Sequence, residues 1–183
     1  MSHSTKTVYD PVARALHWIM ALMMIALLGV GLYMEDLDPS PQKWEIYGLH
    51  KSIGMIALFL IGLRILWRLH ARPPKPLPTH TPLEQWAAHI VHLALYAAML
   101  AMPVSGYLMS SAGGHAINIF GMLNVPLLVD KNADIGKAAK EIHEIAGNVM
   151  IAAIVLHLLG ALKHKLIDKD GTLARMMPTR RKV

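Results

Sequence analysis

The chain has 183 residues, 54% of them hydrophobic and only 16% charged, with a formal net charge of +6. Such a composition describes one domain, residues 1–183, whose apolar residues are gathered into long runs suited to a bilayer. The excess of Lys and Arg flanks those runs as cytoplasmic loops do, so no nucleic-acid partner is expected. With no cysteine, disulfides, thiolate metal sites, iron–sulfur clusters and covalent c-type haem attachment are excluded.

Residues 1–12 are short and polar. The apolar run that follows is too long, and lacks the small-residue cleavage pattern, to be a signal peptide, so it reads as a retained first span over 13–33. Arg14 opens it and His17-Trp18 follows about one turn in, with Trp18 suited to an interfacial belt. The acidic, proline-containing stretch Glu35-Asp36-Leu37-Asp38-Pro39-Ser40-Pro41 breaks the chain into a loop. The second span, 47–69, starts Gly48-Leu49-His50-Lys51-Ser52-Ile53-Gly54 and finishes Arg64-Ile65-Leu66-Trp67-Arg68. A stiff proline-rich connection over 73–82 cannot span.

The third span, 86–110, carries His89 and His92 near its start and Pro103 in its later half, where a kink is expected. Between 111 and 140 the chain holds Gly113-Gly114-His115 and a moderately apolar stretch, 117–129. Glycine, Asn124 and Pro126 argue against a further span there, and the segment reads as re-entrant or surface-lying. The fourth span, 141–163, contains His143 and His157. Fourteen residues of α-helix rise about 21 Å and fall about 40° short of whole turns. Both imidazoles therefore face one side at opposite ends of a run that matches the roughly 30 Å hydrocarbon core. Intramembrane histidines suggest function by default, against the plainer reading of a polar residue bonded to a neighbouring helix.

Basic residues near span ends set orientation. Arg64, Arg68, Arg72 and Lys75 dominate the second connection, and Lys163, Lys165, Lys169, Arg175, Arg180, Arg181 and Lys182 the tail. The other two connections mix Lys43, Lys51, Lys131, Lys137 and Lys140 with acids. The expected architecture is all-α: an integral membrane four-helix bundle with both termini cytoplasmic.

In that topology His17 and His157 share the inner depth, and His50 and His143 the outer one. Two facing imidazoles on different helices are the axial set of a six-coordinate haem, which a four-helix bundle can hold, so one haem is expected near each surface. Gly54, Gly147 and Gly160 lie three or four residues after ligand positions and leave room for a porphyrin edge, or else serve ordinary small-residue packing. A bare zinc ion fits less well, since each pair offers two ligands. His89 and His92 stand near the inner depth as substitute ligands, propionate partners or members of a quinone pocket. Arg14, Arg64 and Arg68 suit inner propionates and Lys51 outer ones, although positive-inside topology alone accounts for Arg64 and Arg68. His3, His70, His80, His115 and His164 fall in loops or at interfaces and read mostly as solvated.

Taken together, Arg14-Ala15-Leu16-His17-Trp18, Leu49-His50-Lys51-Ser52-Ile53-Gly54, His89-Ile90-Val91-His92-Leu93 with Tyr96, Pro103-Val104-Ser105-Gly106, Glu141-Ile142-His143-Glu144 and His157 resemble the bacterial cytochrome b-561 family. The closing Thr172-Leu173-Ala174-Arg175-Met176-Met177-Pro178 is similar to that family's ending, and the resemblance spans nearly the whole chain. It implies a multi-pass inner-membrane protein with two b haems, His17 and His157 on the inner iron and His50 and His143 on the outer. It also implies a superoxide:ubiquinone oxidoreductase, with superoxide giving an electron outside and ubiquinone receiving it. Lys43, Lys51, Lys137 and Lys140 would steer the anion if they converge, with Lys51 the residue assigned to donor approach. The fold carries over more safely than the substrate. The same bundle occurs as the membrane subunit of hydrogenases and formate dehydrogenases. The alternative is therefore a haem-bearing anchor that passes electrons from a partner dehydrogenase to quinone. A histidine-based transporter is the remaining class.

Overall fold

The computed structural model describes residues 8–177. Its frame is four long helices, each apolar and long enough to cross a membrane: α1 Pro11–Glu35, α2 Pro41–Ala71, α3 Pro82–Ala112 and α4 Ala133–Lys163. Every one begins at a side-chain cap. Asp10 accepts from the Ala13 N–H at 3.0 Å and Ser40 from that of Lys43 at 3.2 Å. Thr81 and Glu84 form a reciprocal capping box, and Asn132 Oδ1 accepts from Asp134 and Ile135, both at 3.0 Å. Pro11, Pro41 and Pro82 each follow a cap, at the first helical position where a missing N–H costs nothing.

These caps place the helix starts ahead of the spans read from sequence. Prolines treated as loop residues start the helices, so α1, α2 and α3 begin before 13, 47 and 86, and α4 begins eight residues before 141. Thirty-one residues of helix measure about 46 Å, well beyond a hydrocarbon core of about 30 Å. The ends of α2, α3 and α4 therefore stand outside the membrane. Pro103 lies inside α3, which continues through it.

The segment between α3 and α4 lies on the bundle end as a small antiparallel hairpin, β1 Ile117–Ile119 and β2 Leu123–Val125. Phe120, Gly121 and Met122 connect the strands, with positive φ of 51° and 76° at Phe120 and Gly121 and the Met122 N–H donating to Ile119 O at 2.9 Å. Ile117 is buried, and Ser52 of α2 donates to the Asn118 carbonyl at 2.9 Å. Of the two expectations for this segment, surface-lying is the one observed.

α3 and α4 pack most closely, followed by α1 with α2 and α2 with α3. α1 and α4 do not form a closely packed pair, nor do α2 and α4. The shared core is small, built on Met24, Leu27, Ala57, Ala98 and Met150. Leu22, Phe59, Leu66, Leu93, Ile145 and Val155 face outward, as expected where lipid replaces water. Both described ends meet at one end of the bundle: Tyr9 N–H donates to Arg175 O at 3.3 Å, Trp18 Nε1 to Met176 O at 2.9 Å and Arg14 Nη1 to Met177 O at 2.8 Å. His3, Pro178, Arg180, Arg181 and Lys182 lie outside the described residues.

Candidate functional site: two histidine pairs

The two pairs expected from spacing come together in space. His17 of α1 and His157 of α4 have ring centres 6.0 Å apart, and His50 of α2 and His143 of α4 have theirs 6.5 Å apart. A bond from a metal to an imidazole nitrogen is about 2.0 Å, with the ring centre roughly 1.1 Å beyond, so two rings on opposite faces of one iron stand about 6 Å apart. Both separations match. The helices that carry each pair, α1 with α4 and α2 with α4, are not among the closely packed pairs.

The pair at the hairpin end is the more finished of the two. His143 Nδ1 donates to the Met102 carbonyl at 2.9 Å and lies 3.1 Å from Ser105 Oγ, which itself donates to Ala101 O at 2.6 Å. A histidine bound to metal through Nε2 needs such an acceptor for its Nδ1–H, to fix tautomer and ring plane. Gly106 is the space for that ring: a Cβ there would come within 3.2 Å of His143 Cε1. Gly31 faces His50, where an added Cβ would stand at ordinary contact, 3.6 Å from His50 Cε1. His50 Nδ1 is buried without a hydrogen-bond partner. Beside the rings lies a partly open void of about 320 Å³ lined by Met24, Leu27, Ala57, Met102, Pro103 and Gly54. A Cβ on Gly54 would meet nothing within 4 Å, whereas Gly147 sits 3.8 Å from the Met102 thioether. Paired imidazoles, an orphaned nitrogen and an apolar void together fit a b haem.

At the other end, Arg64 Nη2 lies 3.3 Å from His17 Nδ1 and Arg64 Nε donates to Tyr96 OH at 3.2 Å. Arg64 and Arg68 both lie over the Tyr96 ring, at 5.6 and 5.4 Å. Both guanidiniums line an open cavity of about 400 Å³ with Tyr9, Asp10, Trp67 and Met176. Since a guanidinium only donates, His17 Nδ1 accepts here. For His17 to bind metal through Nε2, its proton has to move to Nδ1, and Arg64 then turns to another acceptor such as a propionate. The residues fit a haem with that one rearrangement.

His92 joins this end, its ring 5.5 Å from that of His157. His89 is exposed one turn earlier on α3. Arg14 is tied to the tail through Met177 O. Lys51 is half-buried and donates to Ser110 Oγ at 3.0 Å. The outward lysines do not converge: Lys43 donates to Leu37 O, Lys140 pairs with Glu144 at 3.2 Å, and Lys137 is exposed. His70 and His115 are exposed as expected, but His80 and His164 are not, because the tail folds over them. Sequence reasoning missed Gly31, Ser105 and Gly106 as ring-seating residues. For Gly106 and Ser105 the signal was their place one turn after Met102 on the face of α3 that meets α4.

A family model described as prokaryotic cytochrome b561 matches residues 8–179. Cytochrome b561 homolog 2 of Escherichia coli (strain K12) is 38% identical over 171 residues, covering 92% of this chain and 90% of that protein. The probable superoxide oxidase CybB of Yersinia pestis is 30% identical, with 94% and 97% covered. Cytochrome b561 homolog 1 of Escherichia coli (strain K12) is 29% identical, with 91% and 94% covered.

Proposed function

Because this chain belongs to the prokaryotic cytochrome b561 family, a multi-pass family of bacterial inner-membrane electron-transfer proteins, we propose that it holds two b haems and works as a superoxide:ubiquinone oxidoreductase. The observation that carries the haem reading is the pair of ring separations, 6.0 and 6.5 Å, each between two helices that are not closely packed on each other. Both termini are assigned to the cytoplasm from the basic tail and second connection, which makes His50 and His143 the outer pair. The name of one relative, probable superoxide oxidase, supports the donor.

Haem iron supplies a one-electron couple matched to a one-electron donor. The overall reaction balances as two superoxide ions and one ubiquinone, with two protons, giving two dioxygen molecules and one ubiquinol. The protein's own work is fourfold. His17 with His157 and His50 with His143 would hold the two haem irons through imidazole nitrogens. The Met102 carbonyl holds the His143 proton and fixes its ring. Arg64 and Arg68 place cationic charge at the inner edge, where propionates in low dielectric need it. Lys51, beside His50, sets a positive charge at the outer site.

A reduced-minus-oxidised spectrum with a pyridine haemochromogen count tests this on purified protein. Two b haems per chain, reduced by superoxide and reoxidised by a ubiquinone analogue, are expected. Absence of haem removes the whole reading; haem with no superoxide response removes only the donor.

A further inference from the structure

Where α3 begins and α4 ends, three side chains converge that neither histidine pair uses. His80 stands in the turn before α3. Beyond Lys163 the chain makes one wide π turn, His164–Asp168, and reverses through Lys169 and Gly171, whose φ values are 52° and 83°. That reversal folds Asp170 back onto both histidines. Asp170 Oδ2 lies 2.8 Å from His164 Nδ1 and 3.2 Å from His80 Nε2. The two rings are 4.5 Å apart, and the three donor atoms all fall within 4.8 Å of one another. The side chains of His80, His164 and Asp170 are only 13%, 14% and 3% exposed.

We propose that His80 Nε2, His164 Nδ1 and Asp170 Oδ2 bind a divalent transition-metal ion of the zinc class, with water completing the shell. Bonds of about 2.0–2.1 Å set donors about 3.3 Å apart around a tetrahedral centre and about 2.9 Å apart at right angles; of the separations to Asp170, 3.2 Å falls in that range and 2.8 Å lies just below its short end. Two imidazoles with one carboxylate are a donor set that zinc and iron(II) accept. The carboxylate is already aimed, since Thr172 N–H donates to Asp170 Oδ1 at 2.9 Å and leaves Oδ2 facing the rings. Thr172 Oγ1 also lies 2.8 Å from His80 Nε2 and Asp168 Oδ2 lies 3.0 Å from His164 Nδ1. Lys163 answers the charge of Asp168 at 2.7 Å, which leaves Asp170 as the carboxylate for the ion. The ion would stitch the connection before α3 to the segment after α4, whose Met176 and Met177 carbonyls hold Trp18 and Arg14.

The test uses untagged, haem-loaded full chain, stripped with a chelator, dialysed against Zn2+ and assayed by plasma mass spectrometry with haem iron as internal standard. Wild type and the exposed-site control His115→Gln should each retain about one Zn2+. His80→Gln, His164→Gln and Asp170→Asn should bind it at least about tenfold more weakly. X-ray absorption at the zinc edge of wild type, which needs no variant to fold, should show two imidazoles and oxygen donors at about 2.0–2.1 Å. Equal Zn2+ binding by wild type and Asp170→Asn would overturn the proposal. So would a wild type that binds none while the variants melt lower, which would make the cluster a hydrogen-bonded clamp only.

Discussion

Gly106→Ala is the sharpest probe of the outer pair, because two opposing effects can be weighed from the structure. In a helix interior Ala is favoured over Gly by about 0.8–1.0 kcal/mol. Against this, the new Cβ would stand 3.2 Å from His143 Cε1 and 3.4 Å from its Nδ1, tighter than ordinary contact, so the ring has to give by a few tenths of an ångström. The ring is not free to give, because Nδ1 is held at 2.9 Å by the Met102 carbonyl. Weakening that hydrogen bond costs about 0.5–1.5 kcal/mol, so stability without haem should change little. Haem affinity should not escape, since disturbing the partner that orients a metal-bound histidine costs about 10–100-fold. The assay is haem per chain after limiting haem loading, with Gly62→Ala as control, where an added Cβ meets nothing within 4 Å. One haem should be lost or weakened in Gly106→Ala and both retained in Gly62→Ala. If Gly106→Ala kept two haems with a wild-type spectrum and affinity, His143 would not be an iron ligand in the orientation described.

His17→Ala and His157→Ala should each remove one and the same haem, and His50→Ala and His143→Ala the other, read as haem per chain and by which spectral component disappears; loss of a single common haem in His17→Ala and His50→Ala would break the pairing. Lys51→Gln should slow reduction by superoxide at low salt in stopped flow, with the difference shrinking as the screening length approaches about 8 Å, whereas unchanged rates at low salt would remove Lys51 from the donor site. Asp10 is opposed by its burial, which raises its pKa, but the Ala13 N–H and the Trp67 indole, at 2.9 Å, outweigh this and hold it below the ordinary carboxylate value. A depressed folded pKa contributes stability above the unfolded value of about 3.9 and loses it as pH falls through the folded one. Asp10→Asn keeps the cap and removes the charge, so its melting deficit should be present at neutral pH and shrink below about pH 4; a deficit independent of pH would assign the effect to the cap alone.

The four spans and the two pairs were legible because both depend on one-dimensional quantities: apolar length, helical rise and the charge of connections. His143 and His157 need only the helix period to share a face. What lay beyond the sequence depends on how the chain folds back. Pro41 and Pro82 read as loop residues because a proline stops a helix that precedes it, yet the same residue opens a helix after Ser40 or Thr81. His80 and His164 read as solvated because nothing local shows that Asp170 returns across them, a reversal made by the left-handed Lys169 and Gly171. Gly54 and Gly106 look alike in sequence, but one faces open space and the other the His143 ring.

The division of labour among the helices follows from these contacts. α4 carries a histidine of each pair, about 21 Å apart along its axis, and α3 is the helix packed most closely on it. From α3 come Met102 O, Ser105 and Gly106 against His143, and the His92 ring against His157. α1 and α2 supply His17 and His50 without packing closely on α4. The α3–α4 unit therefore sets the angle of one ring in each pair, while the distance to its partner is left to helices that a planar group can hold apart. Arg64 of α2 lies against His17 of α1, and it would have to turn to another acceptor if His17 held a haem iron as proposed. At the His50–His143 pair, by contrast, His50 Nδ1 is left without a hydrogen-bond partner among the described residues. If each pair holds a haem as proposed, the two sites would differ in what binding asks of the protein: a new partner for Arg64 at the His17–His157 pair, and the filling of an apolar hollow at the His50–His143 pair.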